Sequence, residues 1–152
     1  RETIYGHKVC LVGGASSMIL DCAVLEGNPA DSSLAVDAIK RVEAIYGRPP
    51  RQAAFDGGFA SNRNLANIKA LGVDDVAFSK RRGLEVSEMT KSPWVYRRLR
   101  DFRAGIEGCI SFLKRCFGFS RCSWRSFASF KAYLHASVLS FNLLVLARHL
   151  IT

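Results

Sequence analysis

RQAAFDGGFASNRNLANIKALGVDDVAFSKRR, residues 51 to 82, decides the fold. It opens on a short apolar run ending at Phe55, which stops at an acid and two glycines, Asp56, Gly57 and Gly58. SNRNLANIKALG then reads as a helix with its own polar cap and a terminal Gly72. DDVAF is a second short strand, leaving the interior as the basic cluster Ser79-Lys80-Arg81-Arg82. Upstream, HKVCLVG (7–13) and SMILDCAVLEG (17–27) are β-rich runs separated by a Gly-Gly-Ala-Ser turn signal, which predicts a hairpin. SSLAVDAIKRVEAIYG carries Leu34, Val36, Ala38, Ile39, Val42 and Ile45 near helical periodicity. Asp31 or Ser32 is its expected N-cap and Gly47 its stop, before the break at Pro49 and Pro50. Strand, strand, helix, strand, helix, strand predicts a layered α/β domain with helices packed on a sheet.

Downstream, residues 82 to 100 are polar and Arg-rich around Pro93 and read as a loop or insertion. A helix over FRAGIEGCISFLKRC (102–116), a break at Gly118 and a long helix from about Arg125 to Leu150 complete the chain. In that last helix Phe127, Phe130, Leu134, Val138 and Phe141 recur at three and four and read as core. Its most apolar stretch, Ala136 to Ala147, falls short of the roughly 20 residues of a membrane span and is interrupted by Ser140 and Asn142, so a buried terminal helix is expected.

The chain has 152 residues, enough for one domain with a real core. Lys and Arg number 22 against 13 Asp and Glu, a net charge of +9 that makes an anionic polymer a natural partner. The five cysteines, Cys10, Cys22, Cys109, Cys116 and Cys122, form no C-x-x-C pair and no zinc-like set with His7, His135 and His149. Their number and scatter fit reduced thiols in the cytoplasm. Arg1 to His7 is polar, not a secretory leader, and the chain reads as a piece of something longer.

On the helix beginning at Phe102, steps of four and seven place Glu107 about 40° and Lys114 about 20° from Arg103. One stripe thus holds a carboxylate between two cations, beside an apolar stripe of Phe102, Ile106, Ile110 and Leu113. Spacing alone equally describes a surface ion pair worth a few tenths of a kcal/mol. Asp56, at a strand end before two glycines, is likewise either a turn acid or a metal carboxylate in the crevice where α/β sheets bind ligands.

AAFDGGFAS, FRAGIEGCISFLKR with its Arg-x3-Glu-x6-Lys pattern, and SFKAYLHASVLSFNLLVLARHL together resemble bacterial insertion-sequence transposases of the DDE class, over their C-terminal two-thirds. That resemblance implies an RNase H-like mixed sheet flanked by helices and lacking its first central strand. Residues 1–118 would be a partial catalytic domain, with 82–100 a loop or insertion, and 119–152 a helical extension packed on it. It implies Asp56 as the second and Glu107 as the third acid of a catalytic set holding two Mg2+ or Mn2+ ions, with Arg103 and Lys114 on DNA phosphates. Lys80, Arg81 and Arg82 form a further phosphate-contacting edge. The family's first aspartate sits upstream of the hairpin. None of Asp21, Asp31, Asp37, Asp74 or Asp75 replaces it, so this chain is expected to be inactive alone. Two neighbours of a missing strand lack ladder partners, which predicts poor solubility or a closed gap. The chain departs from the resemblance at two places: many members carry a basic residue where Gly57 stands, and a related subfamily signature has a tyrosine where Arg100 stands. The implied partners are transposon-end and target DNA and a second subunit, in the bacterial cytoplasm and away from membranes. A non-catalytic DNA-binding or dimerisation remnant, or an RNase H-like nuclease, remain the other readings. Trp94 and Tyr96, among Lys91, Arg97 and Arg98, are either base-stacking surfaces or loop anchors.

Overall fold

The computed structural model describes residues 7–119 and 122–151. β1 (Lys8–Gly13) and β2 (Ile19–Leu25) form the expected antiparallel hairpin. A 3-10 turn, Asp31–Ser33, leads into α1 (Ala35–Tyr46), and Gly47 ends that helix at φ 72°, left-handed backbone that glycine adopts without strain. Next come β3 (Gln52–Phe55), α2 (Asn62–Ala70) and β4 (Asp75–Phe78). β3 and β4 are parallel, with Gln52 opposite Asp75 and Phe55 opposite Phe78, and α2 is the crossover that parallel pairing requires. α3 (Val86–Met89), α4 (Pro93–Cys116) and α5 (Phe127–Ile151) follow.

Two apolar clusters organise these elements. Val76, Ala77 and Phe78 of β4 are fully buried among Ile39 of α1, Leu65 and Ile68 of α2 and Val95 and Leu99 of α4. The second cluster sets Ile19 of the hairpin against Leu113 of α4 and Phe141 and Val145 of α5. α4 spans both, its first half on β3 and β4 and its end against α5.

Among the described residues no backbone hydrogen bond joins the hairpin to the parallel pair, so there are two two-stranded sheets. Between them lies a cleft of about 1600 Å³ lined by β1, β3, α1 and α4. The gap that the sequence anticipates is therefore present, and strand pairing does not close it.

Several expectations are corrected. Residues 82–100 are not a loop: Ser92 caps α4 through the Val95 N–H, Pro93 occupies its first turn, and the helix starts nine residues before Phe102. Tyr96 is core, its hydroxyl donating to the Phe78 carbonyl at 2.8 Å, whereas Trp94 is exposed. Neither Asp31 nor Ser32 caps α1 by its side chain; Asp31 pairs with Lys8 at 2.6 Å. Asp21 on β2 is held by Arg41 at 2.7 Å with little exposure. α5 is less buried than anticipated: it is long and apolar enough to cross a membrane by length and composition, and 28% of its most apolar window is buried. Leu134, Ser137, Phe141 and Val145 pack inward, while Leu139, Leu143, Leu146 and Leu150 are exposed. The histidines act as ties: the His135 ring meets the Cys22 carbonyl and the His149 ring the Ser16 carbonyl, joining α5 to the hairpin.

Candidate active site

Parallel register sets the site. Because Phe55 faces Phe78, the next residues, Asp56 and Ser79, leave the sheet side by side at its carboxyl end. Asp56 adopts extended backbone, and its Oδ1 accepts the Gly57 N–H at 2.6 Å and the Ser79 hydroxyl at 2.9 Å. Gly57 is small for a reason: a Cβ there would lie 2.6 Å from the Lys80 Cβ, whose chain passes over the loop. Asn64 of α2 donates to the Ser32 and Phe59 carbonyls, both at 2.8 Å, locking the turn before α1 to the one after Asp56.

α4 delivers the rest. Val95 and Leu99 anchor its first half on the sheet, so the helix passes the carboxyl ends of the strands at Arg103. The Arg103 Nη2 lies 3.3 Å from Asp56 Oδ1 and donates to Glu107 Oε1 at 2.6 Å. Two oxygens held by one nitrogen at those distances are at most about 6 Å apart, within reach of closing on a common ion. Both carboxylates are open to solvent, and the Arg103 side chain is 21% exposed. The structure thus brings together Asp56, Arg103 and Glu107. Lys114 lines the same cleft two turns further along α4. Arg81 and Arg82 are exposed in the turn beyond Lys80 and are not among the cleft's lining residues.

Burial raises the Asp56 pKa, but the Gly57 N–H, the Ser79 hydroxyl, Arg103 and Lys80 outweigh it and hold the carboxyl below its ordinary value. Asp56 is therefore an anion at neutral pH. Two carboxylate oxygen donors suit a hard divalent cation. Among the described residues no group of three His, Cys, Asp or Glu side chains gathers at one point, so the donor set fits such an ion in part.

Sequence reasoning missed Asn64 and the positioning role of Ser79, whose signal is its place one residue past the strand end paired with that of Asp56. It also set Asp31 aside as a cap. Asp31 instead lines the cleft, and its carboxylate lies against the position a Cβ on Gly58 would take. Trp94 lines the cleft too, with the Arg98 guanidinium 4.8 Å from its ring centre.

A family model described as the transposase DDE domain matches residues 1–143. The chain belongs to the DDE transposase family. No curated protein and no solved structure matches it. For a DDE transposase, a mixed α/β fold of small sheets with flanking helices is the RNase H-like arrangement, and its members are nuclease-type enzymes that act on DNA and typically use divalent metals. The transposase's net charge of +9 agrees with a polyanionic substrate.

Proposed function

We propose that this transposase domain cleaves phosphodiester bonds and transfers strands at insertion-sequence ends, with Asp56 and Glu107 as the metal ligands it contributes. The observation that carries the reading is their convergence: a strand end and a helix 51 residues away deliver two carboxylates to one guanidinium nitrogen. A bound divalent pair supplies an activated nucleophile and a stabilised leaving 3′ oxygen. The chain's own residues do the rest. Asp56 is held anionic and pointed outward by Gly57 and Ser79, and Glu107 is set at matching height by α4. Arg103 and Lys114, along one helix stripe, and Lys80, Arg81 and Arg82, at the strand edge, supply phosphate contacts that orient the strand.

The two-acid set supports a domain that does not turn over alone, and completion requires a third carboxylate on a further strand. Self-association through the exposed α5 leucines and residence in the bacterial cytoplasm, consistent with five free thiols, complete the reading. The test is cleavage and joining of DNA carrying candidate ends, with Mn2+, by the chain alone and by the chain joined to an aspartate-bearing strand. Activity is expected only in the joined form, with a loss of at least about 10³-fold in Asp56→Ala or Glu107→Ala. Cleavage by the joined form that survives both substitutions refutes the assignment, and robust cleavage by the chain alone refutes the incompleteness.

A further inference from the structure

We propose that Arg103 is a latch: its guanidinium occupies the cation position between Asp56 and Glu107, and a DNA phosphate draws it away, so that DNA opens the site to metal. This rests on Asp56 and Glu107 being the ligands and adds what keeps them apart from metal until substrate arrives.

The geometry is specific. One nitrogen, Nη2, contacts both acids, at 3.3 Å and 2.6 Å, so a positive charge already lies between the two oxygens. A magnesium ion shared by them needs both oxygens drawn in to about 2.1 Å, and the guanidinium that already bridges them has to leave first. Guanidinium and ion exclude one another there by size and by like charge. Arg103 and Glu107 are one helical turn apart on α4, so the contact forms without metal, while both carboxylates stay open to solvent and within reach of an arriving ion.

The same group has somewhere else to go. A phosphodiester oxygen pair matches the guanidinium fork; Lys114 lines the cleft and the Lys80 charge acts on Asp56, and both favour an anion. Moving Arg103 from carboxylate to phosphate removes a cation from both acids, while Gly57 and Ser79 keep Asp56 in place, and this raises their affinity for a dication. Linkage makes the effect reciprocal: whatever factor DNA adds to metal affinity, metal adds to DNA affinity.

The experiment measures Mn2+ binding by electron paramagnetic resonance on the wild-type chain, Arg103→Gln, Arg103→Met and the double variant Asp56→Asn/Glu107→Gln, with folding checked by circular dichroism. Without DNA, both Arg103 variants are expected to bind Mn2+ at least about fivefold tighter than wild type, the lower end of usual coupling strengths. A short duplex should tighten wild-type binding by a similar factor and tighten the Arg103 variants less. The double variant should not bind. If the Arg103 variants bind Mn2+ no tighter than wild type while the double variant loses binding, the ligands stand and the latch is wrong. If the double variant binds as wild type does, the ligand assignment fails and the latch falls with it.

Discussion

Asp56 and Asp75 mark the two ends of the parallel pair, and the contrast between them is made by single hydrogen bonds. Asp56 looks outward into the cleft. Asp75 is 2% exposed and accepts the Lys91 N–H at 2.8 Å and the Gln52 amide at 2.9 Å, so it staples the start of β4 to β3 and to the approach of α4. Burial raises its pKa, but the Lys91 N–H, Gln52 and the Lys91 and Lys69 charges lower it further, leaving a net depression from 3.8. A carboxyl depressed in the folded state stabilises above its unfolded pKa, and that stability is lost as pH falls through the folded value. Melting temperatures recorded downward from about pH 5 should therefore drop on an acid limb that Asp75→Asn flattens. At pH 7, Asp75→Ala should lower unfolding free energy by about 1–2 kcal/mol, since it leaves the part-buried Lys91 N–H without its partner. An acid limb identical in Asp75→Asn would remove the staple from the account. A single sequence shows Asp74 and Asp75 only as an acidic pair before a strand; the register that buries one and exposes the other is tertiary. Gly57→Ala makes a further expectation at this scale, since the added methyl meets a Cβ that cannot swivel away. It should destabilise by about 1–3 kcal/mol in urea unfolding.

Among the elements, those with their own caps and periodicity were legible. The hairpin, α1, α2 and the parallel strands lie where patterning puts them, and Gly47, Gly72 and Gly118 all take positive φ at chain reversals. α4 was legible only in its second half. Its true start, Ser92-Pro93, is a cap followed by a first-turn proline, but Arg97, Arg98 and Arg100 hide a buried face reduced to Val95, Tyr96 and Leu99. The same helix carries Arg103 and Glu107, so their spacing could be read while the anchor that aims them could not. α5 poses the opposite case. Asn142 looks like an interruption of an apolar stretch, yet it accepts the Ile19 N–H at 2.9 Å and donates to the Ile19 carbonyl at 2.8 Å, standing in for a peptide partner at the hairpin. Asn142→Leu should cost about 2 kcal/mol, and the Ile19 amide should lose hydrogen-exchange protection well beyond its neighbours on β2. On the outer side, Leu139, Leu143, Leu146 and Leu150 alternate steps of four and three, the seam of a helix pair. Leu139→Lys with Leu143→Lys should shift the chain to monomer in light scattering without lowering its melting temperature. An unchanged mass would remove α5 as the contact.

At the scale of the molecule the decisive feature is the cleft, which patterning foretold only as a missing neighbour. The Lys8 N–H bonds to Gly27 on the hairpin side, so by strand alternation Val9 and Leu11 direct their peptide groups away from β2. The Arg51 and Phe55 carbonyls serve β4, so Gln52 and Ala54 direct theirs away from it. Among the described residues these two edges have no backbone partner; both belong to strands that line the cleft, and Lys8 pairs with Asp31, which lies close to Gly58 in the loop after β3, at one end of it. Backbone groups that no partner satisfies are costly when covered, and an extended segment between the edges satisfies both sets at once. Hydrogen exchange on the chain should therefore show the Val9, Leu11, Gln52 and Ala54 amides exchanging at least about tenfold faster than Cys10, Ala53 and Ala77, which sit in ladders. An added peptide of alternating apolar residues with one aspartate should protect those four amides together, whereas the same residues in scrambled order should protect none. Slow exchange at the four positions in the chain alone would show that the edges are already paired, and the cleft would then be no place for a strand.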